Sequence, residues 1–419
     1  MRLMFCAAAV LLLARNDGAT PEPPGRAPSA AEASDGMALF DRGLYLDGLD
    51  ALADSAGAAG GRPNDFAHQL WYQMRPMIGS YAPPPPLNPG QLPLSEESAA
   101  KLRRATAEDA LPLIVKAAAG TRVVVLNEAH HSPRHRAFAL EVAKALRPLG
   151  YTLLAAEAFV NHPPLTASLA REGFPRLKSG TYLKEPVFGD FVRQALGLGY
   201  RPIAYEQDAE QRNRGERGIP GREQAQAENL AAALRANPGR KLLVYVGFSH
   251  VAEAPIEHGN GRMEWMAARL RKLTGIDPLT IEQTAVAEDS SSRPGREAWA
   301  MSAPKLRRTS VLRLDGQLYA FGPYAHAVDL QVVHPPTRLR DGRPVWLSSM
   351  GRRPRAIPPA LIRRPARRLV QAFLADEPDD AVPVDQVLVE PGQPVPTLMV
   401  PAGRIRFAVQ EPRVSRRAP

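Results

Sequence analysis

The stretch Val123–His135, VVVLNEAHHSPRH, decides how the rest of the chain is read. Val123 to Leu126 are apolar and mostly β-branched, the composition of a short strand buried on both faces. The run then stops on Glu128, with His130 and His131 directly after it. Carboxylate and imidazole are costly to bury without partners, and they are the groups that bind metals and move protons. Ser132 suits a helix N-cap, Pro133 the first helical position, and Gly150 the helix end. The stretch therefore reads as buried strand, sharp polar turn and helix.

The same grammar repeats on either side. TLLAAEAF is a strand that closes on Glu157; EPVFGDFVRQALGLG is a helix; RPIAYEQD is a strand with Glu206 at its end and Asp208 just beyond. GREQAQAENLAAALRANPG is a helix, and KLLVYVGFSH is a strand running through Gly247 to His250. Upstream, TAEDALPLIVKAAA reads as a helix beginning at Thr106. MALFDRGLYLDGLDALA and DFAHQLWYQMRPM are helical, with a PPPP break at Pro83 to Pro86. Short apolar strands alternating with helices imply an α/β fold, a mostly parallel β-sheet flanked by helices. That domain is expected over residues 37–297. Residues 298–412 form a Pro- and Arg-rich, β-containing C-terminal extension, with a hairpin about Asp315-Gly316 in VLRLDGQLYAF. Residues 413–419 form a frayed tail.

The 419 residues are 44% hydrophobic, ample for a packed core. MRLMFCAAAVLLLA at the start has the length of a secretory h-region and is too short to span a bilayer. Residues 1–20 are thus expected to be a signal peptide and residues 21–36 a disordered leader, giving an exported, periplasmic or secreted protein with no transmembrane segment in the mature chain. The only cysteine, Cys6, lies inside the signal. Its removal would exclude disulfides, thiolate metal sites and cysteine nucleophiles, leaving His, Asp and Glu to hold any metal. The net charge of +10 comes mainly from arginine in a chain equally rich in Ala, Gly and Pro. The basic cluster GRRPRAIPPALIRRPARR, residues 351–368, lacks interleaved aromatics, so no nucleic-acid partner is expected and the cluster reads as a solvated or membrane-facing surface.

All strands of a parallel sheet point one way, so their carboxyl ends share one edge, where ligands bind in open α/β folds. Four expected strands deliver chemistry there: Glu128, His130 and His131; Glu157; Glu206; and Gly247 with His250. Strand ends ordinarily favour Gly, Asn, Asp and Ser, so four endings on Glu or His point to a site. Among the other histidines, His131 reads as a supporting group, His135 as a donor at the helix start, His68 as packing, and His162 as a residue of the cleft wall.

NEAHH, then a helix, an EAF strand, the GREQAQAENL helix and a GFSH ending together resemble the erythromycin-esterase, Tiki/TraB and ChaN-like superfamily. The resemblance covers about residues 122–251, with Asn127 standing where the first motif has glycine. It implies that Glu128 and His130 form the first motif, Glu157 the strand glutamate, Arg222 and Glu223 the helix pair, and Gly247 with His250 the last motif. It also implies a hydrolase acting on an ester or amide bond of a small molecule or peptide. In the metal-dependent form, His130 and His250, with Glu157 or else Glu128, hold a divalent Mn, Co, Fe or Zn ion, the other carboxylate serves as general base and Arg222 steadies charge, while His131 and Glu206, read from their strand ends, and Gly247 shape the cofactor site. In the metal-free form, a histidine is the base. The alternative from the same resemblance is a haem-binding protein without catalysis, with Tyr151, Tyr205 or Tyr245 as an axial ligand.

Overall fold

Val123–Glu128 lies in the middle of a nine-stranded sheet in the computed structural model, which describes residues 30–58, 66–79, 87, 90–213, 216–259 and 261–412. The strand order across the sheet is Thr106–Asp109, Ser310–Leu314, Leu330–Val333, Leu279–Glu282, Val123–Glu128, Lys241–Gly247, Tyr151–Ala156 and Arg201–Ile203, with Gln317–Tyr319 paired to Ser310–Leu314. From Leu330–Val333 to Arg201–Ile203 every pairing is parallel. The strands around Ser310–Leu314 are antiparallel. The fold is α/β, as the alternating strand and helix pattern requires.

Alternation along the central strand makes the layers. Val124 and Leu126 pack into the core beneath the helices Ala110–Ala118, Pro133–Leu146 and Pro186–Gly197. Val123 and Val125 point the other way, toward Gly218–Ala236 and Met266–Thr274. All six residues of the strand are buried. Each buried Val or Leu contributes about 1.5–3 kcal/mol, which fixes the register, because a slip of one residue would exchange the faces.

The connections place the crevice. The chain leaves Val123–Glu128 through Pro133–Leu146 and enters the sheet again at Tyr151–Ala156, beyond Lys241–Gly247. It leaves Lys241–Gly247 through Met266–Thr274 and returns on the opposite side at Leu279–Glu282. The departure from Lys241–Gly247 and that from its neighbour Tyr151–Ala156, which runs on to Arg201–Ile203 at the sheet edge, diverge at the carboxyl ends of these two strands, the switch point where open α/β sheets bind ligands. The register sets Glu128 opposite Gly247, and the Glu157 N–H donates to the Tyr245 carbonyl at 3.0 Å.

Several expectations are corrected. Thr106–Asp109 is an edge strand, and the helix starts only at Ala110. The α/β unit does not stop near 297, because Ser310–Leu314, Gln317–Tyr319 and Leu330–Val333 belong to the central sheet. The hairpin does form: Asp315 and Gly316 take φ of 51° and 81°, the left-handed pair of a tight turn between antiparallel strands. The remaining C-terminal strands, Asp385–Val389, Arg368–Leu374 and Ile405–Gln410, make a separate antiparallel sheet. The helices Ala30–Asp41 and Tyr45–Ala58 pack near it, with Phe40, Tyr45 and Leu46 clustering with Leu369. The expected leader therefore overlaps a helix at residues 30–36. The expected signal peptide, the rest of the leader, the PPPP break and the tail lie outside the described residues. In the basic cluster, Arg352 is buried against Asp190 at 2.8 Å and Arg367 forks onto Asp50, so these arginines knit the C-terminal part to the body. No helix among the described residues is long and apolar enough to cross a membrane.

Candidate active site

Two charged arms meet at the switch point. The first is built on Glu128, whose carboxylate accepts two hydrogen bonds from Arg136, Nε at 2.8 Å and Nη2 at 3.0 Å. Arg136 is one turn into the helix that Pro133 starts. Its Nη1 reaches Glu185 at 3.0 Å, and Nη2 also donates to the His130 carbonyl at 2.7 Å. Glu185 in turn caps the Pro186–Gly197 helix, accepting from the Val187 and Phe188 amides at 2.8 Å each. His130 Nδ1 lies 2.9 Å from Glu128 Oε1. Burial pushes the Glu128 carboxyl up, but Arg136 and His130 overcome this and hold it at about 2. An ionised Glu128 takes the Nδ1–H, leaving Nε2 as the free face of the ring. Tyr182 stacks on that ring with centroids 4.1 Å apart, and Phe248 meets it edge-on at 5.2 Å.

The second arm is built on His250. Its Nδ1 is 2.8 Å from Glu223 Oε2, which also accepts from the Met266 amide at 2.8 Å. Its Nε2 is 3.4 Å from Glu157 Oε1. Burial lowers the His250 pKa, but Glu223 and Glu157 outweigh it and raise it to about 10, so His250 is an imidazolium at neutral pH. Arg222 completes the arm. Its Nη2 donates to Glu157 at 2.6 Å, its Nε to Glu206 at 3.0 Å and its Nη2 also to Glu206, while Nη1 stands 3.2 Å from His250 Nε2. Glu157 is thereby held well below the usual carboxylate range: burial opposes ionisation, and His250 and Arg222 prevail.

Gly247 is where the arms touch. A Cβ there would sit 2.5 Å from His130 Cε1, 2.7 Å from its Nε2 and 3.0 Å from Glu157 Oε2, so only glycine lets the two arms close. Its amide donates to Glu157 at 2.6 Å. Gly247→Ala is expected to cost about 1–3 kcal/mol of stability through overpacking and to displace the His130 ring, read as a lower denaturant midpoint with weakened activity. The next residue, Phe248, has φ of 41° without being glycine, a conformation that costs about 1–3 kcal/mol. Asn127 holds it there, donating to the Phe248 carbonyl at 2.8 Å while its own Oδ1 accepts from the Gln283 amide at 2.9 Å.

Of the residues expected at the site, Glu128, His130, Glu157, Glu206, Arg222, Gly247 and His250 converge. His131 does not: it turns away to the Asp289 carbonyl at 3.0 Å and the edge of Tyr72. His135 accepts from the Ala129 amide through Nδ1 at 3.0 Å, opposite to the donor role expected of it. His162 is exposed at the start of the Pro163–Glu172 helix. Tyr151, Tyr205 and Tyr245 are core residues, with the Tyr151 hydroxyl on the Ala118 carbonyl and that of Tyr205 on the Tyr245 carbonyl. Arg136, Glu185 and Tyr182 are functional neighbours the motif reading missed. The KEPVF segment carried a signal for Glu185, an acid directly before a proline at a helix start.

The donor set does not suit a divalent cation. Arg222 already faces both the His250 Nε2 and the Glu157 Oε1 that a metal would need, with its own positive charge. Among the described residues no three His, Cys, Asp or Glu side chains are grouped to hold a metal ion.

No protein-family profile matches the chain, and no curated protein matches it. Distant similarity exists to solved bacterial toxins. One bacterial toxin structure is 16% identical, with 57% of this chain and 55% of that chain covered and a TM-score of 0.33. RRSP, a MARTX toxin effector domain from Vibrio vulnificus, is 17% identical, with 57% and 54% covered and a TM-score of 0.32. The C-terminal region of Pasteurella multocida toxin is 12% identical, with 58% and 37% covered and a TM-score of 0.31. The alignments thus span about half of the first two chains, and likeness this shallow carries no argument about function.

Proposed function

We propose that the protein is a hydrolase of ester or amide bonds in which His130 is the general base and no metal takes part. The observation that carries this reading is the convergence of a histidine whose Nδ1 is fixed by an ionised carboxylate with a second histidine held as a cation, 120 positions later in the chain. Glu128 and Glu157 are poor bases, since both carboxylates are stabilised in the ionised form. An imidazole with one free nitrogen is the better acceptor near neutral pH.

In this scheme a water at His130 Nε2 gives up a proton to that nitrogen as its oxygen attacks the substrate carbonyl carbon. The carbonyl electrons move onto oxygen, and the resulting oxyanion is met by the His250 imidazolium and Arg222. On collapse the bond to the leaving group breaks, and His130 returns its proton to the departing alcohol or amine. Glu128 and Arg136 keep the ring in the required tautomer, the role of the orienting acid in a catalytic triad. Substrate access is from the side of Glu206, whose side chain is 19% exposed, because Tyr182 and Phe248 cover the other faces of His130.

A panel of nitrophenyl esters and peptide anilides tests the reading. Turnover is expected to survive prolonged chelation and dialysis unchanged. Activity lost on chelation and restored by Mn²⁺ or Zn²⁺ would return the ion to the centre of the chemistry. Expulsion of Arg222 by that ion would then be required.

A further inference from the structure

Of the two histidines at the site, His130 is the less firmly held. The only hydrogen bond of its side chain among the described residues runs from Nδ1 to Glu128, at 2.9 Å. His250 has a carboxylate at each ring nitrogen. The last torsion of a histidine side chain has a broad well, so one hydrogen bond does not fix the plane of the ring, and the plane decides where Nε2 points. Packing has to fix it. The Tyr182 ring lies 4.1 Å from that of His130 and within 16° of parallel, and Phe248 meets it edge-on at 85°, the two arrangements aromatic rings prefer.

Tyr182 is not part of a strand end. It opens the 3₁₀ turn Tyr182–Lys184, and that turn is held by the N-terminal helices. The Tyr182 hydroxyl donates to Gln73 Oε1 at 2.8 Å, and Gln73 is buried on the helix Phe66–Met74. The Lys184 carbonyl accepts from the Tyr45 hydroxyl at 3.2 Å, at the start of Tyr45–Ala58. The Lys184 ammonium is 2.9 Å from Asp41 Oδ1, at the end of Ala30–Asp41. Each of the three helices thus places a polar contact on the same turn. The next residue is Glu185, whose amide donates to the Tyr182 carbonyl at 3.1 Å and whose carboxylate holds Arg136. One short piece of chain therefore reaches His130 twice, on the ring face through Tyr182 and at Nδ1 through Arg136 and Glu128.

We infer that Tyr182 is a positioning residue that sets the plane of the His130 imidazole, and that Gln73 sets Tyr182, which makes the N-terminal helices part of the catalytic apparatus. The consequence for catalysis rests on the hydrolase reading; the orientation of the ring does not.

Proton–carbon correlation spectra of the histidine rings, with steady-state kinetics on a nitrophenyl ester, test this on the full chain. The His130 Cε1 proton lies over the Tyr182 ring, so Tyr182→Leu should move its resonance downfield and lower kcat by about 10- to 100-fold with KM unchanged. Tyr182→Phe keeps the stack and should keep the upfield position and most of kcat. Gln73→Leu leaves the Tyr182 hydroxyl without its acceptor, and it should shift the same resonance and lower kcat although it removes nothing from the stack. Adding Tyr182→Phe to Gln73→Leu should restore both, since apolar replacement of both hydrogen-bond partners is nearly neutral. A Gln73→Leu chain with the His130 resonance of the parent, a double variant no better than Gln73→Leu, or a Tyr182→Leu loss that falls on KM would each overturn the assignment. Should the parent turn over no ester or amide, the hydrolase reading fails and the resonances still decide the orientation. Should Tyr182→Leu fail to fold, Gln73→Leu and the double variant decide.

Discussion

Replacing His130 with alanine is expected to lower kcat/KM on any ester or amide the protein turns over by about 10²- to 10⁴-fold, the usual contribution of a positioned general base. The loss should fall on kcat more than on KM, because His130 Nε2 acts on the water and the substrate gains its ground-state contacts elsewhere. The fold should survive. The substitution removes the ring from the Tyr182 stack and one partner from Glu128, but Arg136 still satisfies that carboxylate through two hydrogen bonds. A variant that folds, binds and keeps full kcat would show that His130 is a structural histidine and would shift attention to His250.

Arg222→Ala should have the largest effect on stability. Arg222 is buried, and it compensates Glu157 and Glu206 at once while standing against the His250 cation. Removing one partner from a buried ion pair leaves a charge without compensation and costs about 3–5 kcal/mol. The pH dependence identifies the cause. Glu157 has its folded-state pKa held well below the ordinary value near 4.5, so its contribution is present above that pH and is lost as pH falls toward the folded pKa. The deficit of the variant should therefore be greatest at neutral pH and shrink below pH ~4.5, as protonation relieves the abandoned carboxylate. Denaturant midpoints of both chains at several pH values read this directly. Arg222→Lys should restore little of the loss, since an ammonium cannot fork to Glu157 and Glu206 together.

The parallel sheet was legible because its strands are apolar on both faces, a pattern that few other structures produce. The edge strand Thr106–Asp109 was not. All four of its residues are exposed, so no alternation marks it, and TAED offers the acids of a helix start instead. Only pairing with Ser310–Leu314, some 200 residues later, makes it a strand. At the site, the residues at the strand ends announced themselves by chemistry that strand ends rarely carry. Their partners on helices did not. Arg136 and Glu185 look like ordinary surface residues of amphipathic helices until the fold buries them beside Glu128. The need to compensate a buried glutamate could have prompted a search for Arg136, but the charge alone does not say which arginine answers. Asn127, which departs from the glycine of the resembling motif, has its own reason: it fixes the left-handed Phe248 that turns the chain toward His250.

The account turns on the state of His250, a cation pinned between Glu223 and Glu157 with Arg222 where an ion would otherwise bind. The nitrogen chemical shifts of its ring, followed by NMR from neutral to alkaline pH with and without one equivalent of Zn²⁺, test this most directly. Both nitrogens should remain protonated until pH approaches about 10 and should not respond to Zn²⁺. An unprotonated Nε2 at pH 7.5 that moves when Zn²⁺ is added would contradict the account.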